Sequence, residues 1–202
     1  MGYDKELLKS WCDDESWGDY LSRKGALVDN VSTEQFKAIE KEYFDALKER
    51  IDICEDILRR HKDGFVNYVL AQLYDKDDVD RSPETLCKRK VIYHCLQAIK
   101  ENSNFAPTWV LLAETYEWIA TLGDESDTMP KMEVSVRDKH ITANIRQKDQ
   151  LGIASNSQDV TIQYIEKAIS CIKRAIAIDP SNKEYQGILR SYYRQRNEDY
   201  RR

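Results

Sequence analysis

Four aspartates, Asp75, Asp77, Asp78 and Asp80, crowd one short stretch and supply the hard oxygen donors that calcium prefers. A calcium loop of the helix–loop–helix kind needs Gly at its sixth place and Glu at its twelfth, where this run offers Asp80 and Leu86. The run therefore reads as a solvated connection between helices. His94 stands beside Cys95, but consecutive helical residues point about 100° apart, so the two do not make a nucleophile and its base. Cys95 is expected in the core and His94 at its edge, with its polar contacts satisfied. His61 and His140 have no partners at metal-ligand spacing, and neither a glycine-rich phosphate loop nor a G-x-S-x-G elbow occurs. The expectation is a chain with no catalytic residue, no metal site and no cofactor.

Function must then lie in surfaces, and the composition says which kind. With 41% hydrophobic and 33% charged residues, the 202-residue chain has the balance of a globular domain rather than a disordered one. Only 7 glycines and 4 prolines are present, too few for the turns of an all-β fold, which leaves long helices with few connections. The net charge of -5 argues against nucleic acid, whose phosphates attract concentrated Lys and Arg. Five scattered cysteines, Cys12, Cys54, Cys87, Cys95 and Cys171, form no C-x-x-C pair and read as reduced core thiols. No apolar run approaches a membrane span, and the first residues carry neither a secretory pattern nor the Ser or Thr of an acylation site. A cytoplasmic location with no membrane contact is expected.

The elements follow from caps and periodicity. Residues 1–30 place Leu7, Leu8, Trp11, Trp17, Tyr20 and Leu21 among acids, which suggests one or two short helices broken near Gly18 and Gly25. Ser32 and Gln35 then form a capping box, with Val31 able to staple against Phe36. Phe36, Ile39, Tyr43, Leu47, Ile51, Cys54 and Leu58 recur at helical spacing up to Gly64. Continuous, that helix would be about 40 Å long at 1.5 Å per residue. A short helix through Phe65, Tyr68, Val69, Leu73 and Tyr74 comes next, followed by one from Pro83 to Asn102 and one from Pro107 to Gly123. Ile162, Ile165, Ile169, Ile172 and Ile176 mark another that ends at Pro180, and Leu189 and Tyr193 sit on a last one.

Two of these helices carry a pattern beyond amphipathicity. Trp109, Leu112, Ala113 and Tyr116 read W-x2-L-small-x2-Y, and Ala168, Ile172, Ala175 and Pro180 read A-x3-large-x2-A-x4-P. These are the two halves of a tetratricopeptide repeat, and the chain resembles that family over residues 64–197. Tyr116 to Tyr193 and Ala98 to Ala175 are equally far apart, exceeding the period of about 34 residues by the same amount. An insertion at about 120–162 therefore splits the best repeat, and a smaller one surrounds Asp77. Val91 and Arg190 depart from the small residues the pattern wants.

The resemblance implies an all-α, single-domain helical-repeat fold, a tetratricopeptide-like α-solenoid, with residues 1–63 as capping helices and 198–202 as a tail. It also implies a concave surface lined by the first helix of each pair, holding a peptide or a partner's helix. In this register the groove positions fall on Tyr68, Gln72 and Asp75, then Val110, Glu114 and Glu117, then Gly187, Ser191 and Arg194. Family members that hold a terminal carboxylate use Lys, Arg and Asn there, whereas Glu114 and Glu117 would repel it. A basic or amphipathic protein ligand fits better, buried against Tyr68, Val110 and Trp118. The expected function is thus a non-catalytic adaptor or scaffold.

Two other readings use the same chain differently. A self-assembling structural subunit would make homotypic contacts through the insertion and the N-terminal segment, and a small helical-repeat chaperone would hold its client in the groove. Within the insertion, Met132, Val134 and Val136 alternate with polar residues, as do Ile141, Ala143 and Ile145, a β-hairpin pattern. A short helix or a disordered loop competes with it. Trp11 and Trp17 suit either a cap for the solenoid's end or a segment lying in the chain's own groove. Arg190, Arg194, Arg196, Arg201 and Arg202 read as a charged terminal face.

Overall fold

The computed structural model describes residues 3–13, 17–24, 31–76, 84–122 and 157–199. Among them the chain is all-helical: α1 (Lys5–Cys12), α2 (Trp17–Arg23), α3 (Thr33–Arg60), α4 (Gly64–Asp75), α5 (Glu84–Glu101), α6 (Ala106–Leu122), α7 (Ser157–Ile178) and α8 (Lys183–Asp199). The hairpin pattern of Met132 to Ile145, the aspartates Asp77, Asp78 and Asp80, and Arg201 and Arg202 lie outside the described residues. The helices gather into two compact units, Met1–Ser103 and Asn104–Arg202. That division falls within the span read as one repeat array.

In the first unit, α3 starts where its cap dictates. Ser32 Oγ accepts from the Gln35 amide at 3.2 Å, and the Gln35 side chain accepts from the Ser32 amide at 3.0 Å. One stripe of α3, Tyr43, Leu47, Ile51 and Cys54, is buried. Helix α4 is short but enclosed: Val66, Asn67, Val69, Leu70, Ala71, Leu73 and Tyr74 are all buried, because α1, α3 and α5 pack around it. Asp63 caps it by accepting from the amides of Phe65 and Val66. Opposite, α5 buries Cys87, Val91, Cys95 and Ala98 at helical spacing. At Gly64 the backbones of α4 and α5 approach closely, and a Cβ there would lie 3.0 Å from the Ala98 carbonyl oxygen. The break expected near Gly18 falls earlier, since α1 ends at Cys12 and Gly18 sits inside α2. A glycine in a first turn costs little, because its amide has no helical partner to lose.

In the second unit, α7 packs against both α6 and α8. The small residues Ala113, Ala168 and Ala175 are fully buried, as are Leu112, Ile165 and Ile172, so the α6 and α7 backbones can approach closely. Thr115 is also buried, its hydroxyl donating to the Leu111 carbonyl at 2.8 Å. Helix α7 begins at Ser157, within the stretch assigned to the insertion. It opens on Ser157, Gln158 and Asp159, polar residues that carry no apolar periodicity of their own. Between α7 and α8 the turn is built by Ser181 donating to Asp179 at 2.7 Å and by Asn182, whose Oδ1 accepts from the Glu184 amide at 3.0 Å.

Candidate functional site

The described residues contain no group of three or more His, Cys, Asp or Glu placed to hold a metal. Asp75, the first of the aspartate run, is instead paired with Lys88 of α5 at 2.7 Å. His94 is half-buried, and its Nδ1 lies 3.0 Å from Asn67 Oδ1. Burial, and then the charge of Lys90, push its pKa down to about 3, so the ring is neutral. Cys54 and Cys171 are buried, and burial pushes both thiols up to about 12.

The residues singled out for binding divide between the two units. In the first, Tyr68 and Gln72 come together on α4, the Gln72 amide donating to the Tyr68 hydroxyl at 3.2 Å. Both are half-buried, as is Asp75, and the three form the least covered stripe of a helix otherwise enclosed. Phe65 extends that stripe, with its ring centroid 6.4 Å from that of Tyr68.

In the second unit, Val110, Glu114, Glu117 and Trp118 occupy one stripe of α6, about 100° wide at 100° per residue, on the side away from buried Thr108, Leu112 and Thr115. Glu114 and Thr121 are exposed, while Val110, Glu117 and Trp118 are half-buried. Helix α8 flanks this stripe. The Gln195 amide hydrogen-bonds the Glu117 carboxylate, and burial outweighs that bond, so the pKa of Glu117 is raised. Tyr192 is buried, and its phenol is pushed well above the ordinary range, first by burial and then by Glu114 and Glu117. Ser191 and Arg194 are exposed on α8.

Neither family models, nor curated proteins, nor solved structures match this chain. The site must therefore be read from its own chemistry. It brings two carboxylates, an indole and an aliphatic side chain onto one helix face, with a guanidinium on the neighbouring helix. Such a surface can hold a cationic or amphipathic segment. Tyr192 and Gln195 each stand one position beyond Ser191 and Arg194, and no local spacing marks them for this face. Their side chains turn toward α6, a direction set by how α7 and α8 pack.

Behind the stripe, aromatic and cationic side chains brace the unit. The rings of Tyr116 and Tyr164 are 5.9 Å apart, and Lys167 lies 4.3 Å above the Tyr164 ring. Arg196 joins α8 to α7, bonding Glu166 at 3.0 Å while its guanidinium lies 4.8 Å over Tyr193. Arg196, read as part of a charged terminal face, is thus a brace between helices.

Proposed function

We propose that this protein is a non-catalytic adaptor of the tetratricopeptide-like kind, which binds another protein through the face where α6 and α8 meet. The observation that carries this reading is the state of Glu117. Its carboxylate is half-buried, and burial raises its pKa more than the hydrogen bond from Gln195 lowers it, so ionising it carries a desolvation cost that Gln195 does not fully offset. A cationic group of a partner arriving beside Glu114 and Glu117 would recover that cost. Val110 and Trp118 lie on the same stripe to cover the aliphatic part of the ligand, and the indole face suits a guanidinium or ammonium. The preferred ligand is accordingly a basic, amphipathic helix or peptide. The paired burial of Ala113, Ala168 and Ala175 supports the repeat-like arrangement of α6 and α7 on which the register of these residues depends.

The test is capture of partners from native host extract by the intact chain beside a Glu114→Arg, Glu117→Arg variant whose thermal melt matches. A partner retained by the first and lost by the second supports the reading. Identical retention by both removes this face from any role in binding. Self-association as the sole interaction, seen as concentration-dependent mass, would favour a structural subunit.

A further inference from the structure

The outer face of α3 holds a shallow hollow of about 510 Å³, in which Ile53, 40% exposed, and half-buried Ile57 run beside Asp45, Glu49, Asp52 and Asp56, with Lys48 also in the lining. The four acids follow one another at steps of four, three and four residues, which stacks them within about 60° at 100° per residue. They point away from the buried stripe of Tyr43, Leu47, Ile51 and Cys54. Asp56 is bridged by Arg59 and Arg60 of its own helix. Helix α8 repeats the spacing with the opposite sign. Lys183, Gly187, Arg190 and Arg194 also follow at four, three and four, all exposed and on the side away from buried Tyr192. The Arg190 Nε donates to the Gln186 carbonyl at 3.2 Å, which lays that side chain along its helix. Gly187 has no packing reason inside the chain, since a Cβ there would meet nothing within 4 Å. A glycine weakens a helix relative to alanine, and it is explained where another molecule must come close to the backbone.

We propose that these two ladders are the halves of a contact between copies of this chain, the acidic face of α3 in one molecule lying against the basic face of α8 in another. Set antiparallel, the steps coincide. Asp45 meets Arg194, Glu49 meets Arg190 and Asp56 meets Lys183, while Asp52 and its neighbour Ile53 fall against Gly187, where the missing side chain leaves room. The antiparallel sense also puts Ile53 on the same edge as Gly187 and Ser191, whereas the parallel sense would turn it toward Gln186. The occupant is a second copy because the chain itself carries the complementary charges at the matching spacing. Exposed ion pairs are individually weak and are screened by salt, so the contact is weak and salt-dependent. It joins two different faces, so each bound molecule still offers one ladder of each sign. Arg194 is shared with the α6–α8 face, but Glu114 and Glu117 take no part, and this contact does not rest on that reading.

The test is sedimentation equilibrium of the full chain over a dilution series at low and high ionic strength. Mass should rise with concentration at low ionic strength, and the association should weaken at least about tenfold at high ionic strength. Reversing α3 by Glu49→Arg, Asp52→Arg, or α8 by Arg190→Glu, Arg194→Glu, should leave each variant monomeric with unchanged circular dichroism. Mixing the two variants, or combining all four substitutions in one chain, should restore association, because each reversed ladder then finds its complement. Gly187→Ala should raise thermal stability while weakening association severalfold, a pairing that a general charge effect would not produce. Glu114→Arg, Glu117→Arg should associate as the parent does, which separates this contact from the ligand face. A parent that stays monomeric at every concentration overturns the proposal, whether the ladders are solvated or pair within one chain. Association that survives either reversal also overturns it. Should the reversed chains lose their fold, Gly187→Ala decides: association that it leaves unchanged overturns the proposal, and a loss with raised stability supports it.

Discussion

His94 and Asn67 are joined across α5 and α4 by a 3.0 Å contact that fixes the form of both side chains. The Asn67 amide nitrogen donates to the Asp63 carbonyl at 3.1 Å, which leaves its oxygen as the acceptor and puts the imidazole proton on Nδ1. The ring stacks on Tyr74 at 5.7 Å between centroids, and the Tyr74 hydroxyl in turn donates to Glu55 of α3 at 3.1 Å. A part-buried polar chain thus links α3, α4 and α5, and each member holds the next in place.

That chain makes stability depend on acid. His94 is held at about 3 when folded, first by burial and then by Lys90, while an unfolded histidine titrates near 6.5. Between these values the unfolded chain binds the extra proton, so its contribution is whole above about pH 6.5 and is lost as pH falls toward 3. The loss from this residue is at most about 1.4 kcal/mol per pH unit. Urea melts of the parent and a His94→Gln variant at pH 7.5 and 4.5 should show the parent's advantage shrinking or reversing in acid. An advantage independent of pH would mean that the ring is not held neutral.

Two glycines should respond oppositely to alanine. At Gly64 a Cβ would meet the Ala98 carbonyl oxygen at 3.0 Å and Glu101 Cβ at 3.1 Å, and a backbone carbonyl has little room to yield. Gly64→Ala should destabilise by about 1–2 kcal/mol despite alanine's better helix propensity. At Gly187, within α8, a Cβ meets nothing within 4 Å, so Gly187→Ala should stabilise by up to about 1 kcal/mol. Chemical denaturation of both variants checks the signs.

Close approach of α6 and α7 depends on alanines with no exposure. Ala168→Leu would force three additional heavy atoms into a seam where Ala168 is 0% exposed and Ile169 2%, and should cost about 1–3 kcal/mol. Val110→Ala, on the half-buried outer stripe of α6, should cost less. Melting temperatures that fell equally in the two variants would contradict the placement of Ala168 in the seam.

The cysteines should differ in reactivity by position. Cys12 is half-buried, whereas Cys54, Cys87, Cys95 and Cys171 are buried, with burial raising the thiols of Cys54 and Cys171 to about 12. Under native conditions at pH 8, iodoacetamide should modify Cys12 first and leave Cys54 and Cys171 largely intact, as read by peptide mapping. Early modification of Cys171 would show that the α6–α8 unit is looser than its packing implies.

Much of the helical layout was legible in the residues. Ser32 and Gln35 announced the start of α3, Asp179 to Asn182 announced the turn before α8, and the repeat pattern placed Leu112, Ala113, Ala168, Ile172 and Ala175 in buried positions, whereas Trp109 and Tyr116 of the same pattern are half-buried. These signals are local or periodic, and a helix converts them directly into a face. The start of α7 was less legible because a polar first turn looks like a loop. Gly18 looked like a break because propensity is a weak guide where no helical hydrogen bond is at stake.

The sequence by itself determined the helical class, the caps, and the stripe of α6 that carries Val110, Glu114, Glu117 and Trp118, since each follows from interactions within a few residues. Only the tertiary structure decided that α1 lies along α4 with Lys76 closing its end, that Asn67 meets His94, and that Gln195 reaches Glu117. Those contacts join residues far apart in the chain, and nothing in local spacing encodes them. They exist because burying apolar faces brings the helices together, and the polar groups carried in with those faces must then find partners in one another.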